Sequence, residues 1–417
     1  MGMFIVEGET RLKGRVTVSG AKNAVLAVLP ATLLAEGETI IENAPGISDV
    51  RVMGEILAAL GAEVKENGSG FRINPGGVHS QAPPLELVKK LRASSLLLGP
   101  LLARYGRAEI AMPGGCNIGP RPLDQHIKGL RALGAEVIIE QGFIRARAKK
   151  LKGAPIYLDV TSVGATENIM MAACLAEGKT VIENAAKEPE IVDVANLLNA
   201  MGANVKGAGT DVIRIRGVKG LRGVRHTIIP DRIEAGTFMI AAAATRGEVI
   251  IEDVIPEHLE PVIAKLREAG ALVEVGEDSI KVTGREEPYQ PLDIKTLPYP
   301  GFPTDLQSPM TALLTTAAGT SIIKENIFEN RFRHVDEFKR MGAQIKVEGR
   351  TAVVEGVNFL SGARVRATDL RAGAALLIAA LMARGETVIQ GTEHIDRGYE
   401  NITGKFRALG ARIRRED

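Results

Sequence analysis

The stretch LAALGAEV at residues 57–64 returns five times along the chain, as LRALGAEV (130–137), LLNAMGANV (197–205), LREAGALVEV (266–275), FKRMGAQIKV (338–347) and FRALGARI (406–413). Its glycines, Gly61, Gly134, Gly202, Gly270, Gly342 and Gly410, are spaced by 73, 68, 68, 72 and 68 residues. A second marker lies upstream of each: LAEGETIIENA (34–44), LARYGRAEIAM (102–112), LAEGKTVIENA (175–185), ATRGEVIIEDV (244–254), TAAGTSIIKEN (316–326) and MARGETVIQGT (382–392). Six copies of one supersecondary unit therefore account for almost the whole chain of 417 residues.

Each copy reads alike. A nearly all-apolar helix, such as AVLAVLPATLLA (24–35) or AALLIAALMA (374–383), runs into a glycine stop and then a β-rich segment such as ETIIENA. A helix that is apolar on every side has to be buried. An amphipathic helix ending at the marker glycine follows, then strand, turn and strand, as in AEVKENGSGFRINPG (62–76). The unit is βαβαββ-like, with its sheet outside and its apolar helix at the centre. The last copy stops after one strand at residue 417, and MFIVEG (3–8) matches the return strand it lacks, as seen in DVIRIRG (211–217) and TAVVEG (351–356). Three repeats per domain predict one domain at 22–229 and a second at 230–417 plus 1–21. A chain that crosses twice between domains predicts a hinged cleft, where ligands commonly bind.

Composition narrows the class. Lys and Arg number 52 against 50 Asp and Glu, a formal charge of +2, with 45% hydrophobic and 24% charged residues, which describes an ordinary folded protein and no dedicated nucleic-acid binder. Aromatic residues are 4% with no Trp, so platforms for base stacking are not expected. The start, Met1-Gly2-Met3-Phe4-Ile5-Val6-Glu7, has no basic segment leading into an apolar one, so a cytoplasmic protein is expected. The longest apolar runs, such as 372–383, fall short of the roughly 20 residues that span a bilayer. Two cysteines, Cys116 and Cys174, supply neither a disulfide framework nor a four-ligand zinc site. No cluster has metal-ligand spacing, and GxxxxGK[ST] and GxGxxG are absent, so a transferase working without metal or cofactor is favoured.

The residues that open the buried helices are polar: Lys22-Asn23, Arg92 with Ser94 and Ser95, Thr166-Glu167, Asp231-Arg232 with Glu234, Asp305 with Gln307, and Asp369 with Arg371. Helix N-termini carry unpaired N–H groups and partial positive charge, so three converging per domain would hold phosphate or carboxylate. The plainer reading is that the Asp, Thr and Ser are N-caps. Cations oppose the dipole, which sets Lys22 and Arg371 apart as binding groups. A second feature is the Gly- and Pro-rich segment Met112 to His126, where Cys116 lies close in sequence to Arg121 and His126, a setting that lowers a thiol pKa and suits a nucleophile or proton donor. An incidental surface thiol is its plainer alternative, and His126 reads equally well as a helix cap. From 86 to 131 there are eight Lys or Arg against three acids, an excess that suits a diphosphate. Cys174, inside an apolar helix, reads as inert core.

SGAKNA (19–24), PGGCNIGPRPLDQH (113–126), SVGAT (162–166), FPTDLQSPM (302–310), ATDLRAGAALLIAAL (367–381) and HIDRGYEN (394–401) together resemble the enolpyruvyl transferase family, on its UDP-N-acetylglucosamine 1-carboxyvinyltransferase side. The resemblance covers essentially the whole chain. It implies a two-domain inside-out α/β barrel, and transfer of enolpyruvyl from phosphoenolpyruvate to the 3′-hydroxyl of UDP-N-acetylglucosamine by addition and elimination, the committed step of peptidoglycan synthesis and so of cell-wall biogenesis, cell shape and division. It implies that Lys22, Arg121 and Arg397, with Asn23 beside them, hold the phosphate of phosphoenolpyruvate, and that Arg331 and Arg371 hold its carboxylate. Arg92, Arg121, Pro122, Leu123, Asp124, Gln125, Ser162, Val163, Gly164, Asp305 and Ile327 would contact the UDP-sugar. Cys116 would donate a proton to the methylene carbon, form a covalent adduct, and be the thiol that fosfomycin alkylates. Asp305 would be the base on the sugar hydroxyl, with Asp369 near the reacting carbon. Where some relatives have a Lys before SVGAT, this chain has Val160, which removes one contact to the UDP part.

The same residues speak against two other readings. A six-repeat DNA clamp needs amphipathic helices with a basic face toward DNA, whereas one helix of every repeat here is apolar all round. A shikimate-type transferase is disfavoured by the PGGCNIGP loop.

Overall fold

The computed structural model describes residues 2–112 and 122–416; Cys116 and Arg121 lie outside the described residues. Contacts divide the chain into two compact units, a first at 20–112 with 122–229 and a second at 2–19 with 230–416. Each has its own apolar core.

One sheet plan recurs. In the third repeat Pro155–Tyr157 runs parallel to Lys179–Glu183, which pairs antiparallel with the return strand Val212–Arg216, which in turn pairs with the edge strand Asn204–Lys206. Between these strands lie the buried helix Val163–Ala173 and the amphipathic helix Pro189–Ala200, completing the βαβαββ order. The fifth repeat repeats this with Asp293–Lys295, Thr320–Lys324, Thr351–Glu355 and Gln344–Glu348. In the sixth, the return strand is the chain's own start: Met3–Glu7 lies antiparallel between Glu386–Gln390 and Arg412–Glu416.

The first and fourth repeats exchange their opening strands. Lys13–Thr17, which precedes the helix Lys22–Ala31, lies parallel to Glu248–Glu252 of the fourth repeat. Arg225–Thr227, which precedes the helix Arg232–Ala244, lies parallel to Thr39–Glu42 of the first. Each crossing of the chain thus leaves a strand in one unit and its helix in the other.

One expectation needs correction. The second repeat has a three-stranded sheet, Arg107–Ala111, Phe143–Arg147 and Glu136–Glu140. Its opening strand is reduced to one backbone bond, from Glu109 N–H to the Gln81 carbonyl, because Pro83 and Pro84 follow with no N–H to extend a ladder. The sheets are separate and open and the apolar helices lie at the centre of each unit, which is the expected inside-out α/β arrangement, with no closed sheet among the described residues.

Return strands alternate, with Ile213 and Ile215 buried and Arg214 and Arg216 exposed. One face of each sheet therefore meets the core and the other water. The helices at the centre are buried all round: every residue from Ile233 to Ala244, and from Arg371 to Leu381, is buried. The helix Gln307–Leu314 packs on Leu370–Met382 and on Arg232–Ala244, and in the first unit Leu98–Tyr105 packs on Val163–Ala173. All six marker glycines adopt φ between +90° and +110°, the left-handed turn that ends the amphipathic helix.

Candidate active site

In the first unit, Lys22 opens its helix with neither a side-chain cap nor an acid in the first turn. Its ammonium lies 2.7 Å from the Asp49 carboxylate, and both groups are almost buried. A buried cation at a helix N-terminus is costly, and Asp49 offsets it. Asn23, next in sequence, is exposed. Arg92 is half-buried at the start of the 3-10 run Arg92–Leu97.

Ser162 caps the helix Val163–Ala173 by accepting from Ala165 N–H at 3.3 Å; Val163 and Gly164 are half-buried. Gln125, buried near the start of Asp124–Ala132, accepts from Asp159 N–H at 2.9 Å and donates to the Asp124 carboxylate at 2.8 Å. Lys128 pairs with Asp159 at 2.7 Å. These bonds bring 124–125 against the segment that leads to 162–164. Pro122 is exposed and Leu123 buried. Val160 is 59% exposed, an apolar side chain on the surface of that segment. Glu167 is buried, and burial together with Glu190 and Glu188 pushes its carboxyl well above the usual range.

In the second unit, Asp305 sits in a 3-10 turn at Thr304–Leu306 and receives two arginines, Arg331 at 2.7 Å and Arg371 at 3.0 Å. Both guanidinium groups are nearly buried, whereas the Asp305 side chain is 24% exposed. Arg371 lies over the Tyr399 ring at 5.3 Å. Burial opposes its charge, but Asp305, Tyr399 and Asp231 outweigh burial and raise its pKa. Asp369 caps the helix Leu370–Met382, accepting from Arg371 N–H at 2.9 Å and Ala372 N–H at 3.1 Å. Asp231 caps Arg232–Ala244 in the same way. Arg397 and Ile327 are half-buried.

Sequence reasoning missed Asp49 and Glu325. The buried Glu325 carboxylate accepts from Thr296, Thr304, Ile327 N–H and Phe328 N–H at 2.8 to 3.1 Å, so it holds both the Asp305 turn and the Ile327 loop. A signal was present: the equivalent position in three other repeats is Asn43, Asn184 or Asp253, and only here does a longer carboxylate stand. Cys174 is buried, and burial pushes its thiol up to about 12, far from reactive. Among the described residues no group of three His, Cys, Asp or Glu could hold a metal ion.

The result is one buried cation, Lys22, at a helix N-terminus in the first unit, and two, Arg331 and Arg371, in the second, each paired with a carboxylate, an arrangement suited to anionic substrates. The family model for EPSP synthase (3-phosphoshikimate 1-carboxyvinyltransferase) matches residues 6–406. The enolpyruvyl transferase NikO from Streptomyces tendae superposes with a TM-score of 0.90 at 27% identity over 99% of this chain and 98% of its own. EPSP synthase from Acinetobacter baumannii shares the fold at a TM-score of 0.76 and 21% identity, with both chains covered in full. A UDP-N-acetylglucosamine 1-carboxyvinyltransferase 2 of Carboxydothermus hydrogenoformans is 59% identical over 100% of this chain and 99% of its own length. Its counterpart in Bacillus subtilis is 57% identical over 99% and 96%. The chain belongs to this family of carboxyvinyltransferases, and within it to the UDP-N-acetylglucosamine 1-carboxyvinyltransferases.

Proposed function

We propose that the protein transfers the enolpyruvyl group of phosphoenolpyruvate to the 3′-hydroxyl of UDP-N-acetylglucosamine with release of phosphate, feeding peptidoglycan synthesis from the cytoplasm. The carrying observation is identity of 57–59% over the full length of relatives bearing that name, against 21% to an EPSP synthase.

The reaction adds the sugar O3 to C2 of phosphoenolpyruvate while C3 gains a proton. Loss of phosphate from C2 and of one C3 proton then leaves the enol ether. Lys22, Asn23, Arg121, Arg331, Arg371 and Arg397 are the phosphoenolpyruvate set, and a substrate with nearly three negative charges calls for that many donors. Arg92, Arg121 to Gln125, Ser162 to Gly164, Asp305 and Ile327 are the sugar-nucleotide set. Cys116 is the proton donor to C3.

The Asp305 geometry supports a switch in its role. While Arg331 and Arg371 both bond its carboxylate, both Asp305 oxygens are engaged by guanidinium N–H groups. A substrate carboxylate that takes up the two guanidiniums loosens Asp305, which then accepts the proton of the sugar hydroxyl. Asp369, tied to its helix end, fixes Arg371 and places negative charge near the oxocarbenium-like carbon.

The test is phosphate release from phosphoenolpyruvate with UDP-N-acetylglucosamine and, separately, with shikimate 3-phosphate. Release with the sugar nucleotide alone is expected. Release with shikimate 3-phosphate alone would overturn the acceptor assignment.

A further inference from the structure

The helix Asp124–Ala132 is tied to the third repeat at two adjacent residues, on either side of Ser162–Gly164 in the chain. Gln125 bonds Asp159, before that segment. His126 bonds Asn168, after it: the imidazole is 5% exposed, and its Nδ1 lies 2.9 Å from Asn168 Nδ2.

The partners of Asn168 decide the tautomer. Its Oδ1 accepts from Gly99 N–H at 2.6 Å and its Nδ2 donates to the Ser95 carbonyl at 2.7 Å, so the amide fits one way round only. The second Nδ2 hydrogen then goes to His126 Nδ1, which must be bare, and the ring's single proton sits on Nε2. That edge of the ring faces Gly164, where a Cβ would come within 3.1 Å of Cε1 and 3.2 Å of Nε2. Burial, opposed by Asp124, lowers the imidazole pKa to about 4 and keeps it neutral. One turn further on, Gly129 lets the two helices approach, since a Cβ there would fall 2.1 Å from Ile169 Cδ1.

We propose that His126 is a positioning residue for sugar-nucleotide binding: as a neutral acceptor for Asn168 it sets the register between residues 123–125 and Ser162–Gly164. The proposal rests on the reading of those segments as sugar-nucleotide contacts. A histidine that merely filled core volume would be replaceable by an apolar ring, and this one has a bond that an apolar ring lacks.

Steady-state kinetics on two variants test it. His126→Phe keeps a ring and removes the acceptor, while His126→Gln restores an acceptor through its carboxamide oxygen. In His126→Phe the KM for UDP-N-acetylglucosamine should rise about tenfold, with the KM for phosphoenolpyruvate at saturating sugar nucleotide within about twofold. His126→Gln should stay within about threefold of the unaltered protein on both. An unchanged sugar-nucleotide KM in His126→Phe, equal rises in both KM values, or a glutamine variant as impaired as the phenylalanine one overturns the proposal. Nitrogen-15 NMR of the unaltered, histidine-labelled protein should show the neutral Nε2–H form at about pH 6. A cation or an Nδ1–H form there overturns it even if His126→Phe does not fold. Failure of the sugar-nucleotide reading looks different, because the unaltered protein would then release no phosphate in response to UDP-N-acetylglucosamine.

Discussion

In the proposed reaction Asp305 is structural in one state and chemical in another. Its carboxylate neutralises two arginines that the core has nearly buried, and it is the most exposed of the three, so an arriving anion meets the carboxylate first and competes with it for the two guanidiniums. Replacing it with asparagine keeps the shape and removes the base. Asp305→Asn should lower kcat by about 10²–10⁴ with sugar-nucleotide binding retained, measured by turnover and by titration calorimetry. A kcat within about threefold of the unaltered protein would assign proton removal to another group. Arg371 was legible in the sequence because a cation at a helix opening is unfavourable without a purpose, and Asp305 because it opens a buried helix, whereas Arg331 came only from the family resemblance. Their pairing was not: Arg331 and Arg371 stand 26 and 66 residues from Asp305, and no local pattern encodes a bond across such distances. The same holds for Lys22 with Asp49, and for His126 with Asn168.

Periodicity carries the elements. The repeat length, the buried helix and the marker glycine were readable because each answers a local demand, and the φ values of the six glycines show that demand met six times. The short strand of the second repeat was not readable from the period, since Pro83-Pro84 overrode it locally. The glycines also separate strain from space. At Gly342, with φ +94°, a Cβ meets nothing within 4 Å, so Gly342→Ala should cost only the left-handed penalty, about 1 kcal/mol. At Gly61, with φ +104°, the Cβ would fall 2.3 Å from His79 Nδ1 and 2.5 Å from the Gly77 carbonyl, so Gly61→Ala should cost clearly more. Urea midpoints of the two variants give the comparison. Equal losses would mean that the turn after Gly61 yields freely.

On the scale of the whole molecule, acid stability is set by buried groups rather than by net charge, because +2 on 417 residues leaves little self-repulsion near neutrality. Each unit buries one histidine whose pKa burial lowers to about 4: His126, with Asp124 acting against the shift, and His334, with Asp369 acting against it and Arg331 reinforcing it. The usual value is near 6.5, so between about pH 6.5 and 4 the unfolded chain binds the protons that the folded one refuses. Stability is therefore lost as pH falls through that window, by up to roughly 3 kcal/mol per histidine. Glu167 and Glu234, whose carboxyls burial pushes upward, act in the opposite sense: their contribution is present in acid and is lost as pH rises through their raised values. The acid limb of a stability profile should thus belong to the histidines. Urea unfolding between about pH 4 and 7 should show the slope reduced in His126→Gln, reduced in His334→Gln, and reduced by the sum in the double variant, since the two histidines belong to different units. A profile that keeps its slope in the double variant would assign acid sensitivity to groups other than these two histidines.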